Sequence, residues 1–147
     1  MSNSKQPMPS KQNSYTKESI INAPEPDYMS DEQLQFFKDK LVELHESTRK
    51  RISESKAQLL DPPDLSDYSD RATWEEQFTM LMRIVDREQK LLPKIQQSIE
   101  RIRQGDYGYC LETGEPIGIQ RLLARPTAEF CADVKGIQEL KEHIYLD

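Results

Sequence analysis

Residues 74–102 read WEEQFTMLMRIVDREQKLLPKIQQSIERI, and their spacing decides the fold. Trp74, Phe78, Leu81, Val85, Glu88, Leu92, Ile95, Ile99 and Ile102 recur alternately four and three residues apart. That period is the mark of a coiled-coil seam, and only Glu88 breaks its apolar rule. Upstream, Leu34, Phe37, Leu41, Leu44, Thr48, Arg51 or Ile52, and Ser55 form a second seam that turns polar toward its far end. Ser30, with Gln33 three residues on, is the capping-box pattern that opens it. Between the seams lies LLDPPDLSDYSDRA at 59–72, whose prolines end one helix and whose aspartates cap the next. Two facing seams joined by a short breaker predict an antiparallel helical hairpin over 30–104 with an acidic tip at 61–72. At 1.5 Å per residue, arms of about 30 residues make a rod roughly 45 Å long. Pro93, inside the second arm, removes the backbone hydrogen bond to the carbonyl of Gln89 and predicts a kink.

The flanks read differently. Residues 1–29 are rich in Ser, Asn, Lys and Pro, hold no helical or strand period, and are expected to form a disordered tail. Residues 105–147 carry Gly105, Gly108, Gly114 and Gly118 in short irregular segments. A last helix follows, with Val134, Ile137, Leu140 and Ile144 on one face. A piece of about 40 residues builds little core unaided. The fold class expected is therefore mainly α: a long antiparallel coiled-coil hairpin plus a small zinc-ribbon-like C-terminal globule with a terminal helix.

Composition agrees. Of 147 residues, 35% are hydrophobic and 31% charged, and mean hydropathy is −0.82, which suits a polar helical element better than one packed sphere. No apolar run reaches the ~20 residues of a membrane helix and the N-terminus lacks a signal-peptide core, so a cytoplasmic protein is expected. A net charge of −6 argues against a nonspecific grip on DNA phosphates and for a basic protein surface or a metal-containing site as target.

The two cysteines stand at Cys110 and Cys131, where a C-x2-C…C-x2-C zinc site would also need thiolates at 113 and 134. Those positions carry Thr113 and Val134, so zinc is not expected and two small buried thiols are. A reversible Cys110–Cys131 pair stays open as an alternative, as part of a redox-responsive interaction module. No nucleophile elbow or phosphate-cradling glycine loop is present, and the two histidines, His45 and His143, read as surface helix residues. The chain is not expected to be an enzyme. Asp61, Asp64, Asp67 and Asp70 at the tip read either as N-caps in a solvated turn or as an acidic probe acting near metal or basic groups.

DYSDRA at 67–72, GDYGYC at 105–110, the following GEPIGIQRLLARPTA and the rod between them resemble the DksA/TraR family of bacterial RNA polymerase factors, over roughly residues 28–147. The resemblance implies a transcription regulator that binds the polymerase through its secondary channel, without binding DNA. The family's tip motif falls on Asp67, Asp70 and Ala72, which would act beside the polymerase active site and weaken promoter open complexes. It implies a site for ppGpp at Leu91, Lys94, Arg125 and Lys135, with Arg87 supporting polymerase binding, and a role in the stringent response. Ribosomal RNA promoters would be repressed and others activated. Thr113 and Val134 depart from the four-cysteine pattern, so the chain resembles the zinc-independent branch. No tightly bound cofactor and a monomeric state are expected. A transcript-cleavage factor of the Gre type, whose tip carboxylates hold a metal for RNA hydrolysis by the polymerase, is the competing reading from another class.

Overall fold

Five short or long helical pieces account for the regular structure of the computed structural model, which describes residues 15–62, 68–132 and 134. In chain order they are α1 (Lys17–Ile21), a 3-10 turn (Glu25–Asp27), α2 (Asp31–Leu59), α3 (Tyr68–Gln104) and α4 (Ile119–Ala124). Contacts divide the chain into two units, one made of residues 42–97 and the other of 1–41 with 98–147.

Within the unit 42–97, α2 and α3 pair as the heptads require. Arg51 meets Glu88 at 2.9 Å, and the His45 ring nitrogen lies 3.4 Å from the Gln96 amide. Moving forward along α2 moves the partner backward along α3, so the hairpin is antiparallel. Val85, Ile95, Thr48, Ile52, Ser55 and Glu88 are buried in the seam, while Leu44, Leu81 and Leu92 are half-buried. Toward the tip the cover thins: Trp74 and Phe78 touch edge to face with centroids 6.0 Å apart, yet Phe78 is 42% exposed. Helix α3 runs through Pro93 without a break. Pro93 and Gln89 are both exposed, so the carbonyl that loses its donor can turn to water.

In the other unit, the start of α2 is capped as its sequence suggests, with one change of partner. The Ser30 hydroxyl accepts from the Gln33 N–H at 3.3 Å, but the Gln33 side chain accepts from the N–H of Met29 rather than of Ser30. This buries Gln33 almost fully. Phe37 and Leu41, also buried, follow on α2, and the Phe37 ring lies 5.7 Å from that of Tyr107.

The expectation of a disordered tail through residue 29 does not hold for residues 15–29. Thr16 and Ser19 form a reciprocal capping box that starts α1, Ile20 is fully buried, and α1 packs against α4. Tyr28 does most to tie this strap down. Its hydroxyl donates to the carbonyl of Gly108 at 2.6 Å and accepts from the N–H of Gly118 at 2.9 Å, bridging the two ends of the segment that contains Cys110. Met29 closes over Gly108, whose φ of +93° and lack of a Cβ are both needed: an added Cβ would sit 2.7 Å from Met29 Cγ and Sδ. Burial of Ile20 and the long-range hydrogen bonds of Tyr28 override a local composition that offers no period. Residues 1–14 lie outside the described residues, as does most of the expected terminal helix, including Ile137, Leu140 and Ile144.

The segment 108–118 is a short ribbon. Ile117 N–H donates to Gly108 at 2.8 Å, Cys110 N–H to Glu115 at 2.8 Å, and Tyr109 and Pro116 form an isolated antiparallel bridge. Since the Gly108 carbonyl also receives the Ile117 N–H, loss of the Tyr28 hydroxyl strands chiefly the Gly118 N–H. Tyr28→Phe is therefore expected to lower the unfolding free energy by about 1–2 kcal/mol, measured by urea denaturation. A change of a few tenths would show that water replaces the phenol.

Candidate functional site

The tip residues that the structure describes are all solvent-facing. Asp61 and Pro62 are exposed, and Asp70 and Ala72 stand on the exposed first turns of α3. An acidic side chain in a first turn is favoured by the helix dipole, so Asp70 has a structural reason to be there whatever else it does. Asp67 lies outside the described residues. Ala72 lines a shallow open depression with Glu75, Glu76, Thr79, Met80 and Arg83 on the outer side of α3. Tyr68, 77% exposed, has the Arg71 guanidinium 5.8 Å from its ring centre. Exposed apolar groups beside carboxylates at a hairpin end make a surface suited to contact rather than to chemistry of its own.

Farther along α3, Arg87, Leu91 and Lys94 fall four and three residues apart and share one face. Arg87 and Lys94 are exposed and Leu91 is half-buried. Arg125 belongs to the other unit, where it ends α4 in an extended conformation and donates its N–H to Arg121 at 2.7 Å. Among the described residues none of these three cations forms an ion pair, so each is available to an anion. Lys135 lies outside the described residues.

The ribbon holds the cysteine positions. Cys110 and Cys131 are free, the first buried and the second half-buried. Leu111 N–H donates to Glu129 at 2.9 Å, and Arg121 Nε to the carbonyl of Phe130 at 2.9 Å, fastening the two cysteine segments to each other and to α4. Two further side chains do similar work. Tyr107, buried, donates its hydroxyl to the Pro126 carbonyl at 2.7 Å, and burial pushes its pKa well up. Arg101 Nη2 donates to the carbonyls of Tyr109 and Asp106 at 2.8 and 3.1 Å. Tyr28, Arg101, Tyr107 and Arg121 were not singled out from the sequence, because each acts on a backbone carbonyl and no residue type marks that partner in advance.

At Cys110 burial disfavours the thiolate, but the hydroxyl of Thr113 and the N–H groups of Cys131, Thr113 and Glu112 converge on the sulfur and together lower its pKa to about 6. Of the four positions of a zinc site, Thr113 is exposed and offers a hydroxyl that also accepts the Glu115 N–H at 3.2 Å, and Val134 is buried and offers no donor atom. The residues present do not make a four-thiolate site. Among the described residues no group of three or more His, Cys, Asp or Glu gathers to hold a metal ion. Nor is any described helix long and apolar enough to cross a membrane.

A coiled-coil hairpin with an acidic end, joined to a ribbon that keeps half of a zinc-finger ligand set, defines a recognisable class of helical-hairpin proteins. Residues 33–102 match the N-terminal domain of the DnaK suppressor protein DksA, and residues 105–140 match the prokaryotic dksA/traR C4-type zinc finger. The chain belongs to the DksA family. It is 39% identical over 121 residues to the RNA polymerase-binding transcription factor DksA of Caulobacter vibrioides, covering 82% of this chain and 85% of that one. It is 41% identical over 117 residues to the protein of that name from Haemophilus influenzae, covering 79% and 81%. The solved structure of transcription factor DksA2 from Pseudomonas aeruginosa superposes with a TM-score of 0.74 at 41% identity, covering 87% of this chain and 99% of that one.

The Cys110 environment has a measurable consequence. Its folded pKa of about 6 lies below the ordinary thiol value of 9.0, so folding favours the thiolate. The stability this contributes is complete above the unfolded value and disappears as pH falls through about 6. Between those limits the wild-type melting temperature is expected to rise with pH, and Cys110→Ser, which cannot ionise there, to remove that part of the slope in calorimetric scans. Equal slopes in both proteins would show that Cys110 stays a neutral thiol.

Proposed function

We propose that this protein is a regulator of transcription that binds bacterial RNA polymerase through its secondary channel and does not contact DNA. The observation that carries the reading is the solvent-facing acidic start of α3, with Asp70 and Ala72 exposed, in a chain 39–41% identical to factors named for binding RNA polymerase. A net charge of −6 supports a basic protein cavity as target rather than DNA. In this reading the hairpin enters the channel, and Asp67, Asp70 and Ala72 act next to the active site. Their carboxylates compete for metal-bound and basic groups, which weakens the promoter open complex. Arg87 supports the grip on the polymerase.

The same factor responds to ppGpp. Lys94 and Arg125, both exposed and without ion pairs among the described residues, are the cations offered to its phosphates, with Lys135 as a third and Leu91 as an apolar neighbour. The expected setting is the cytoplasm under starvation, with the protein acting as a monomer. Its ribbon needs no zinc, because hydrogen bonds and a buried valine occupy the places of two ligands.

Transcription from a ribosomal RNA promoter by purified polymerase, with and without ppGpp, tests the reading. The wild type is expected to inhibit, and more strongly with ppGpp. Asp70→Asn is expected to keep polymerase binding within about threefold while losing most of the inhibition, since a minority of interface side chains carries most of the affinity and the rest of the hairpin surface is unchanged. Undiminished inhibition by Asp70→Asn would remove the tip mechanism. Release of short 3′ RNA fragments from stalled complexes would instead identify a Gre-type cleavage factor.

A further inference from the structure

Glu88 is the single charged residue in the α3 seam, and it is 7% exposed between the apolar turns of Val85 and Ile95. A carboxylate withdrawn from water is tolerated only when its oxygens are bonded. Both are: Arg51 Nε reaches Oε1 at 2.9 Å and Arg51 Nη2 reaches Oε2 at 3.4 Å. The same Nη2 donates to the hydroxyl of Thr48 at 3.1 Å, and Thr48 is fully buried. One layer of the coiled coil is thus a closed polar network of three side chains from two helices.

We infer that Arg51, Glu88 and Thr48 form a register lock: they are positioning residues that fix how α2 and α3 are paired, and through that what the hairpin presents. The apolar layers alone do not discriminate, because a heptad seam moved by seven residues again places apolar groups together. The polar layer does. A slip of seven residues along α2 would set Leu44 or Gln58 opposite Glu88, and slips of three or four would set Ser47, Thr48, Glu54 or Ser55 there. None is a cation, so every alternative leaves a buried carboxylate without its charge partner. Only the observed pairing gives Glu88 a guanidinium.

Two consequences bear on function, and they rest on the polymerase reading above. Holding position 88 inward keeps its neighbour Arg87 outward, and with it the face shared by Leu91 and Lys94. Fixing where α2 ends against α3 also sets the span of the connection between Leu59 and Tyr68, which carries Asp67. A slip of seven residues would change that span by about 10 Å.

The test measures register and activity separately in the full chain. Spin labels carried on non-natural ketone side chains at Ser53 and Gln97, both exposed, report the distance between the arms without touching the native cysteines. The wild type is expected to give one narrow distance distribution. Glu88→Leu, which completes the apolar seam and keeps the hairpin folded, is expected to add a second population displaced by about 10 Å. Glu88→Gln, which retains shape and some hydrogen bonding, is expected to broaden the distribution less. In the transcription assay, Arg51→Glu or Glu88→Arg alone is expected to raise the concentration for half-maximal inhibition roughly tenfold, and the two together to restore most of it. A single unshifted distance in Glu88→Leu overturns the lock. If the wild type itself does not inhibit transcription, the polymerase reading fails, while the distance measurement still decides the register.

Discussion

The pairing of α2 with α3 is the interaction on which the exposed surfaces depend, and its physics is uneven along its length. Buried aliphatic layers at Ile52, Val85 and Ile95 supply the nondirectional attraction that holds two helices together. The Arg51–Glu88–Thr48 layer supplies direction, since a charge pair with fixed geometry is satisfied in one arrangement and penalised in others. Toward the tip the seam loosens, with Phe78 and neighbouring Met80 and Met82 all exposed. An end that offers apolar and acidic groups to solvent gives up local burial, and the closer packing farther along the hairpin offsets that cost.

The ribbon unit solves a different problem. Segments of its size have many backbone donors and acceptors and too little apolar area to bury them cheaply, so each buried carbonyl needs a partner. Here the partners are side chains reaching in from several directions: Tyr28 from the N-terminal strap, Arg101 from α3, Tyr107 from the ribbon's own start and Arg121 from α4. Each bond is individually modest, but two end on Gly108 and Tyr109 and two on Pro126 and Phe130, so both cysteine-bearing segments are restrained.

How much of this was legible in the sequence follows from the range of the forces involved. The hairpin was, because a heptad period is a local regularity that needs no knowledge of the partner. The seam positions Thr48, Ser55 and Glu88 were legible by the same spacing despite being polar, whereas Ser98 and Gln33, also buried, were not, since nothing in their identity signals burial. The strap was missed because Ile20 and Tyr28 gain their roles from residues about 80 to 100 positions away, across a stretch whose Ser, Lys and Pro content argues for disorder. Exposure of Ala72, Arg87 and Lys94 follows directly from the helical phase once Glu88 is placed inward, whereas Asp70, five full turns before Glu88, is exposed because it stands in the first turn of α3. The convergence of donors on Cys110 does not follow from spacing at all; it depends on the fold of the turn.

The two positions of the C4 pattern that carry no thiol hold residues suited to their surroundings. Position 113 is exposed and position 134 is buried, so the replacements face opposite demands. At the exposed place a hydroxyl costs nothing in desolvation and can still donate to the sulfur of Cys110, which Thr113 does. At the buried place any polar atom without a partner would be penalised, and an isopropyl group fills the volume without needing one. With Thr113 on its sulfur and backbone N–H groups around it, Cys110 has its thiolate form favoured by hydrogen bonds. The donors around the sulfur are the Thr113 hydroxyl and the backbone N–H groups of Cys131, Thr113 and Glu112, so the fold of this unit itself holds them in place.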